Sequence, residues 1–444
     1  MTPTPIHSFL VEYKNADGVR LHMPGHKGSD ELSAYDITEI SGADSLFEAD
    51  GIIKESEGIA SDIFGADTFY STEGSSLSIR AMLYLATLYA KQNGKGAKIA
   101  AARNVHKSFI SAAALIDFEV DWIVGKESSY LSCRITKEDI KNYLDSTSEL
   151  PTAVYITSPD YLGYISDIGG IADECKRRGV LLLVDNAHGA YLKFTAPSLH
   201  PIDLGADMCA DSAHKTLPAL TGCAYLHISK NAPSFFNDRV KGAMMLFAST
   251  SPSYLLLDSL DKLNPYLAGK YPRDLQTFIS KIDNIKEKLA GSGYSIVDGE
   301  PLKITISARK YGYTGQQIAD LLRKENIECE FADLDYIVLM PSPNNSDNDL
   351  ERLTSVLSAL KRKEAISSLP PRSHLPRRKM SVREAVMSPT EDLRCDDCLG
   401  RIASTITLGC PPAIPIAAPG EVIDDNVIDT FKYYGISTCS VVKF

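Results

Sequence analysis

The chain has 444 residues, of which 44% are hydrophobic and 23% are charged, a composition typical of a globular protein with a large buried core. Its formal net charge of −11 at pH 7 argues against a nucleic-acid-binding surface. No apolar run approaches the roughly 18 residues of a membrane span, and the N-terminus lacks the pattern of a signal peptide. We therefore expect a cytoplasmic protein with no membrane contact.

The region from about residue 60 to residue 230 alternates short apolar runs with helix-like stretches. This alternation predicts an α/β fold in which helices cover a parallel sheet. Buried strands are predicted at 97–102, 152–157, 180–185 and 222–228. Helices are predicted at 75–94, where apolar residues recur at helical spacing, and at 169–179.

The composition changes after about residue 270. A long helix is predicted at 272–293, a smaller α/β unit begins near residue 302, and another helix is predicted at 347–364. The basic, proline-rich stretch 369–384 favours a solvated linker, and 400–421 has too many prolines for a sheet interior, so we expect an irregular arm. The predicted division is an N-terminal segment (1–45), a large domain (46–270), a small α/β domain (271–365) and a linker with an arm (366–444).

Two charged residues follow neighbouring apolar runs, where an open parallel sheet places its binding site. Asp185 ends the run VLLLVD, and Lys215 lies in ADSAHKTLPALTG. A helix cap or turn would also explain the aspartate, and a solvated surface position would explain the lysine. Together, however, they suit pyridoxal 5′-phosphate, because a lysine can form the Schiff base while a carboxylate keeps the pyridine nitrogen protonated. We expect Lys215 to be a buried amine.

An anion site is predicted where the helix at 75–94 begins. Gly74, Ser75 and Ser76 would offer backbone N–H groups, hydroxyls and the positive end of the helix dipole to a phosphate. A serine-rich helix cap is the plainer explanation of this stretch taken alone. Ser212 and His214, beside the lysine, could donate to the same phosphate.

Other polar residues follow the remaining runs. His106 could stack on a cofactor ring, although a single histidine is more often a packing or surface residue. Thr157, Ser158 and Tyr161 could reach a ring oxygen. Nine scattered cysteines suit a reducing compartment, and the lone Cys395–Cys398 pair is weak evidence for zinc, so we predict no metal site.

These segments resemble the bacterial Orn/Lys/Arg decarboxylases, and the combination of HMPGHKG with SAHKTLPALTG is highly specific. The chain starts close to the first motif and resembles the members that lack an N-terminal wing. The similar motifs are LHMPGHKG (21–28), EGSSLSIRAM (73–82), NVHKS (104–108), TSPDYLG (157–163), VDNAHGA (184–190), DSAHKTLPALTG (211–222), STSPSYLLLDSLD (249–261) and GRIASTITLGCPPAIPIAAPGE (400–421).

The resemblance implies the fold type I of pyridoxal-phosphate enzymes, with a mostly parallel seven-stranded sheet in the large domain and a smaller C-terminal α/β domain. It implies α-decarboxylation of arginine, lysine or ornithine. It assigns Lys215, Asp185, His106 and His188 to catalysis, with Ala187 and His188 near the ring and the substrate carboxylate. It implies cofactor contacts from Gly74, Ser75, Ser76, Thr157, Ser212 and His214, and from Ser249, Thr250 and Ser251 of a neighbouring subunit, hence a homodimer with shared sites.

Several positions depart from the family pattern. Thr405 stands where relatives carry a glutamate, and Cys410 stands where they carry a tyrosine. Glu73 and Asp211 add negative charge near the predicted phosphate, where they could meet a cationic substrate or point away. These departures keep two alternatives open: another pyridoxal-phosphate reaction on the same fold, and a cofactor-binding protein that has lost catalysis.

Overall fold

A seven-stranded sheet dominates the fold. The computed structural model describes residues 2–16, 18–125, 129, 131–368, 370–372, 374–405 and 414–443. The sheet has the order β1-β7-β6-β5-β4-β2-β3. Its strands are β1 (Asp67–Ser71), β2 (Lys98–Ala102), β3 (Glu119–Ile123), β4 (Ala153–Thr157), β5 (Leu181–Asp185), β6 (Met208–Asp211) and β7 (Ala224–Ile228). All four strands predicted from apolar runs are confirmed, each within two residues at either end.

The chain folds into two units. The first comprises 1–97, 152–155 and 168–274, and the second comprises 98–151, 156–167 and 275–444. In the first unit β5 pairs with β6 in parallel, whereas β7 pairs antiparallel with both β6 and β1. Every residue of β5 is buried, as a strand covered on both faces requires. The predicted α/β fold with a mostly parallel sheet is confirmed.

Helices of the first unit cover this part of the sheet. The predicted helices at 75–94 and 169–179 are confirmed as α3 and α6. The helices are α1 (Pro5–Asn15), α2 (Ile52–Phe64), α3 (Gly74–Gln92), α6 (Ile168–Arg178), α7 (Ala213–Thr216), α8 (Phe235–Met245) and α9 (Tyr254–Ala268). The long helix α10 (Tyr271–Gly291) leads from this unit into the second, as predicted for 272–293.

The second unit contains β2, β3 and two small sheets. A four-stranded sheet has the order β10-β11-β9-β8, and β12 pairs with β13. The strands are β8 (Ser295–Ile296), β9 (Ile304–Ser307), β10 (Phe331–Ala332), β11 (Tyr336–Leu339), β12 (Thr390–Arg394) and β13 (Thr438–Val442). The helices are α4 (Lys107–Ile116), α5 (Lys137–Ser146), α11 (Gly315–Lys324), α12 (Asp347–Ala359), α13 (Val382–Met387) and α14 (Asp425–Tyr433).

Local sequence explains where several of these helices begin. Four of the described helices have a capping box, in which the N-cap hydroxyl and the side chain three residues later bond each other's backbone N–H groups. The pairs are Thr136 with Asp139, Thr314 with Gln317, Ser346 with Asp349 and Ser381 with Glu384.

The predicted arm at 400–421 is partly described. Residues 400–405 and 414–421 contain only isolated bridges at Ile402, Ala403 and Glu421, which agrees with an irregular arm. Thr405 is half-buried, whereas Cys410 lies outside the described residues. Among the described residues, no helix combines the length and the apolar character needed to cross a membrane.

Candidate functional site

The ends of β5 and β6 bring two predicted site segments together. These parallel strands pair Asp185 with Ala210, so the residues that follow each strand lie at the same edge of the sheet. We call 185–188 and 212–215 the strand-end segments. This edge, at the carboxyl ends of the strands, is where open α/β sheets place their ligands.

Asp185 is a buried carboxylate with few partners. Its side chain is 2% exposed, and it accepts hydrogen bonds from the Ala187 N–H at 3.2 Å and from the Tyr155 hydroxyl at 3.1 Å. Burial raises the pKa of Asp185, and the hydrogen bonds and the charge of Lys215 offset that rise only in part. A cation placed at this carboxylate would stabilise its ionised form.

Lys215 lies in the short helix α7, with its Nζ 3.0 Å from Nε2 of His188. His188 is buried, whereas the side chain of Lys215 is exposed. The expectation that Lys215 is a buried amine is therefore wrong for this chain: its own atoms leave the lysine accessible at the sheet edge. Since an ammonium group only donates, Nε2 of His188 would be the acceptor in this contact.

The predicted anion site lies at the start of α3. Gly74 has a φ of +68°, a conformation that favours glycine, and its N–H donates to the Gly222 carbonyl at 2.8 Å. The Ser212 hydroxyl donates to the Ser75 hydroxyl at 2.8 Å, which joins this helix start to the segment before Lys215. Helix N–H groups and two hydroxyls thus meet in one place.

His214 lies beside the same helix start. A Cβ added to Gly74 would stand 3.9 Å from Cε1 of His214, and Nδ1 of His214 donates to the Cys223 carbonyl at 2.9 Å. Burial lowers the pKa of His214, which favours the neutral imidazole at pH 7. In that form the only ring proton is the one on Nδ1 that the Cys223 carbonyl accepts, so Nε2 would need a second proton before it could donate to a phosphate.

The segment Ser249–Ser251 is exposed and lies near the helix start of its own chain. The Ser249 N–H donates to the Glu73 carboxylate at 2.5 Å, and the Ser251 N–H donates to the Ser249 hydroxyl at 3.1 Å. Glu73 is thus engaged by backbone. The predicted contact of Ser249, Thr250 and Ser251 with a neighbouring subunit's cofactor stays a prediction.

Two predicted site residues belong to the second unit. His106 caps α4, and its Nδ1 lies 3.2 Å from the Ser108 N–H and 2.8 Å from the Ser108 hydroxyl. The Thr157 hydroxyl is buried and has no hydrogen-bond partner among the described residues, as expected of a group reserved for a ligand. Their roles toward a cofactor stay predictions.

Other polar residues near the strand ends were not identified from the sequence. Tyr155 lies inside an apolar run, and Asn186 follows Asp185 without a distinguishing pattern. Asp211 was identified only as a charge near the phosphate, yet it is fully buried against His200 and His227. The sequence left open whether Asp211 meets a cationic substrate or points away from the predicted phosphate site. In the structure it points away from that site.

Together these groups define the chemistry that the first unit could hold. An accessible amine can bond an aldehyde, a buried carboxylate can hold a protonated ring nitrogen, and the start of α3 can hold a phosphate. Pyridoxal phosphate carries all three groups, so the donor set fits it. Fold and site together define the class of fold type I pyridoxal-phosphate enzymes.

Comparison with known proteins agrees with this class and narrows it. The family model "Orn/Lys/Arg decarboxylase, major domain" matches residues 4–293, and the model of the family's C-terminal domain matches 361–440. The chain is 32% identical to an arginine decarboxylase of Halalkalibacterium halodurans, over 95% of this chain and 91% of the relative. It is 31% identical to an arginine decarboxylase of Bacillus subtilis, over 97% and 93%.

Solved structures show the same fold at low sequence identity. A lysine decarboxylase of Francisella novicida has a TM-score of 0.80 and 17% identity, covering 99% of this chain and 81% of that one. The constitutive lysine decarboxylase of E. coli has a TM-score of 0.79 and 17% identity, covering 99% and 82%. The chain belongs to the Orn/Lys/Arg decarboxylase family and is a pyridoxal-phosphate-dependent amino-acid decarboxylase.

Proposed function

We propose that this protein decarboxylates arginine at Cα, releasing CO₂ and the amine that keeps the guanidinium group. The supporting observation is the similarity to four proteins named arginine decarboxylase, which are 28–32% identical over 94–97% of this chain. The lysine decarboxylases that share the fold are only 17% identical, so they support the fold but not their own substrate.

Residues of the first unit would hold the cofactor. Lys215 would bond its aldehyde carbon, Asp185 would face its ring nitrogen, and Gly74, Ser75, Ser76, Ser212 and His214 would surround its phosphate. We assign a ring contact to Ala187, whereas the ring contacts of His106 and Thr157, which belong to the second unit, stay predictions. When bound, pyridoxal phosphate supplies an electron sink for the electron pair that remains at Cα when the carboxylate leaves.

The buried carboxylate of Asp185 determines whether that sink is effective. Burial makes the ionised carboxylate costly, so pairing with a ring N–H⁺ relieves an unfavourable state and favours the proton on the ring. Tyr155 and the Ala187 N–H orient the two oxygens, which fixes the direction of the carboxylate. Asp185 thus holds the ring nitrogen protonated during turnover.

Lys215 and His188 form a proton-handling pair. Nζ of Lys215 and Nε2 of His188 lie 3.0 Å apart, within hydrogen-bond distance for proton transfer. Lys215 would be the group that returns a proton to Cα of the substrate. Because His188 is buried beside it, we assign His188 to the substrate carboxylate side of the site.

A substrate panel tests the proposal. Purified protein with pyridoxal phosphate is incubated with arginine, lysine, ornithine and several non-basic amino acids, and CO₂, amines and keto acids are measured. We expect CO₂ and amine from arginine at the highest kcat/KM. Preference for lysine or ornithine would overturn the substrate assignment, and a keto acid without CO₂ would overturn the reaction.

Variants of two lysines link this activity to the site. Lys215→Ala should lose all turnover and the cofactor's visible absorption band, because the amine that bonds the aldehyde is removed. Lys270→Ala removes an exposed lysine paired with Asp274 and should behave like the wild type. A fully active Lys215→Ala protein would contradict the assignment of the lysine.

We also propose a homodimer in which Ser249, Thr250 and Ser251 reach the partner's cofactor phosphate. All three residues are exposed in the single chain, which leaves them available for such a contact. Mixing inactive Lys215→Ala chains with chains altered at 249–251 should restore activity, because one site of the mixed dimer keeps both elements. If each site is built from one chain, mixing restores nothing.

A further inference from the structure

A buried polar cluster lies behind the strand-end segments, and the proposed mechanism does not use it. Its centre is Asp211, the last residue of β6, which is 0% exposed. Asp211 comes one residue after Ala210, the partner of Asp185 across the strand pair. Because side chains alternate between the two faces of a sheet, Asp211 and Asp185 point to opposite faces.

Four donors meet the Asp211 carboxylate. Its Oδ2 accepts from Nε2 of His200 at 3.0 Å and from Nε2 of His227 at 3.2 Å. Its Oδ1 accepts from the Asn186 side-chain amide at 2.7 Å and from the Cys209 thiol at 3.3 Å. A carboxylate with this many donors is stable in its ionised form even when it is buried.

The histidines satisfy this anion without cancelling its charge. Nδ1 of His227 lies 2.9 Å from the Thr68 hydroxyl, which can donate to it, and Nδ1 of His200 has no partner among the described residues. Burial lowers the pKa of His227, which favours its neutral form. Each hydrogen bond to Asp211 uses a single proton, on Nε2, so neither bond requires a charged ring, and with neutral rings the cluster keeps the negative charge of the carboxylate.

Asp211 and Asp185 influence each other electrostatically. Burial raises the pKa of Asp185, and the charge of Asp211 adds to that rise. Burial alone would also raise the pKa of Asp211, but His200 and His227 outweigh it and hold this pKa far below its usual range. Asp211 is therefore a permanent charge, whereas Asp185 needs a cation.

We propose that Asp211 is a positioning residue that keeps the cofactor's ring nitrogen protonated, by placing a fixed negative charge behind Asp185 and by holding Asn186. This inference rests on the proposed function, because it takes Asp185 as the partner of the ring nitrogen. Asn186 joins the two effects: its side chain bonds Asp211, and its N–H donates to the Ala210 carbonyl at 3.0 Å.

A metal ion is the other use that these side chains allow. His200, Cys209 and Asp211 bring three possible ligand atoms within 4.8 Å of one another. Hydrogen bonds of 3.0 to 3.3 Å already account for each of these contacts, so the cluster is complete without an ion. A stoichiometric metal in the purified holoenzyme, measured by mass spectrometry, would cancel the charge and overturn the proposal.

Asp211→Asn removes the charge with little change in shape. Its carbonyl oxygen can still accept from Asn186, and its amide can donate to both His200 and His227. The ring proton of each histidine would then move to Nδ1, from which His227 can donate to Thr68. The matched control is Asp261→Asn, because Asp261 is equally buried and accepts hydrogen bonds from the His7 N–H at 2.9 Å and the Ser56 hydroxyl at 2.5 Å.

The direct readout is the ring nitrogen itself. Holoenzyme is prepared with cofactor labelled with ¹⁵N in the ring, and the ¹⁵N chemical shift is followed against pH by solid-state NMR. In Asp211→Asn the midpoint for ring protonation should fall by about one pH unit, and kcat should fall about tenfold while KM stays nearly constant. Asp261→Asn should match the wild type in both measurements.

Other titratable groups face the cluster and must be separated from Asp211. They are Asp185 on β5, Cys209 on β6, Tyr225 and His227 on β7, and His200. Asn186→Ala removes the bridging amide but keeps the charge, so its ring nitrogen should stay protonated to a higher pH than in Asp211→Asn. The same fall in both variants would overturn the role of the charge.

A second variant carries the test if Asp211→Asn does not fold. His200→Ala removes one donor, so the pKa of Asp211 rises and the ring nitrogen should gain a pH-dependent step that the wild type lacks. Equal ¹⁵N shifts in wild type and variant at every pH would overturn this inference alone. A wild-type protein that binds no labelled cofactor would instead overturn the proposed function.

Discussion

Two regions of the molecule contain buried carboxylates in different surroundings. One is the pair of strand-end segments in the first unit, and the other is the C-terminal segment of the second unit, which we define as 374–405 and 414–443. In the strand-end segments Asp185 is buried, with no basic side chain of the described residues bonded to it, and Lys215 is exposed beside His188. In the C-terminal segment the buried carboxylate of Glu421 is 2.9 Å from the guanidinium of Arg103. One carboxylate is kept ready for a ligand, and the other is already paired.

This difference separates function from stability. A buried carboxylate without a cation destabilises the folded chain until a ligand supplies the charge. A paired one stabilises the fold only while its partner is present, because breaking the pair leaves a buried charge uncompensated. Substitutions in the strand-end segments should therefore reduce activity, and substitutions at the buried pair should reduce stability.

Among the variants that test this comparison, Asp185→Asn should have the largest effect on activity. A neutral amide cannot stabilise a protonated ring, so we expect kcat to fall at least about 100-fold. The same change should stabilise the cofactor-free protein at pH 7 by about 1 kcal/mol, since the raised pKa of Asp185 makes its ionisation unfavourable to folding. Activity assays and urea unfolding of the cofactor-free protein measure the two effects.

The change in stability caused by Asp185→Asn should depend on pH, and the raised pKa of Asp185 determines the direction of that dependence. A carboxyl whose folded-state pKa is raised favours folding most below its unfolded pKa, and that contribution is lost as the pH rises through the folded value. The gain from Asp185→Asn should therefore vanish near pH 4. Asp203 is the control. Burial tends to raise the pKa of Asp203, but Lys193 and Ser198 lower it below the usual value. Asp203→Asn should therefore destabilise the folded protein at pH 7. A destabilised Asp185→Asn protein would break the comparison.

Much of the first unit could be predicted because its signals are local. Apolar runs of four to seven residues located β5 and β7, and the residues just after the runs included Asp185 and Lys215. The glycine and serines at the start of α3 could be identified from the chemistry of helix N-termini. The burial of Asp211 could not, because it depends on His200 and His227, which only the folded sheet brings to it.

The second unit shows the limit of such reasoning more clearly. Arg103 and Glu421 are 318 residues apart in the chain, and no periodicity or motif links them. The irregular course of the arm could be predicted from its prolines, but not the pair that holds it.

In the first unit, the exposure of Lys215 was also mispredicted, because a lysine's chemistry indicates its partner and not how much of the side chain is buried.

Glu421→Gln tests the stabilising role of the C-terminal pair. Glu421 is 1% exposed and also accepts from the Ala418 N–H at 2.7 Å, while Arg103 donates to the carbonyls of Pro415 and Ile416 at 3.1 and 3.0 Å. Burial also raises the pKa of Glu421, but removing its negative charge leaves a buried guanidinium unpaired. That larger cost should lower the free energy of unfolding by about 3 kcal/mol. Urea unfolding measures this loss, and kcat at low temperature should change less than about twofold.

Glu391→Gln is the matched control in the same unit. Its partner Arg401 lies at 2.6 Å, but both side chains are partly exposed, so water already screens the pair. The expected loss is below about 1 kcal/mol. Equal losses in the two variants would show that burial does not distinguish the pairs, and lost activity with unchanged stability in Glu421→Gln would reverse the assignment of the C-terminal segment.

The smallest effect concerns three buried cysteines of the C-terminal segment, Cys395, Cys398 and Cys439, which pack in one apolar cluster. Burial raises the pKa of all three thiols, that of Cys439 to about 12, so little reactive thiolate exists near pH 7. A maleimide should label them only after unfolding. Burial also raises the pKa of Cys329, but this thiol is only half-buried, so it should react faster in the folded protein. Site-resolved mass spectrometry measures both. Cys398 labelling as fast as Cys329 would mean that this cluster opens under native conditions, and the stability expected of the C-terminal segment would then be absent from its apolar cluster.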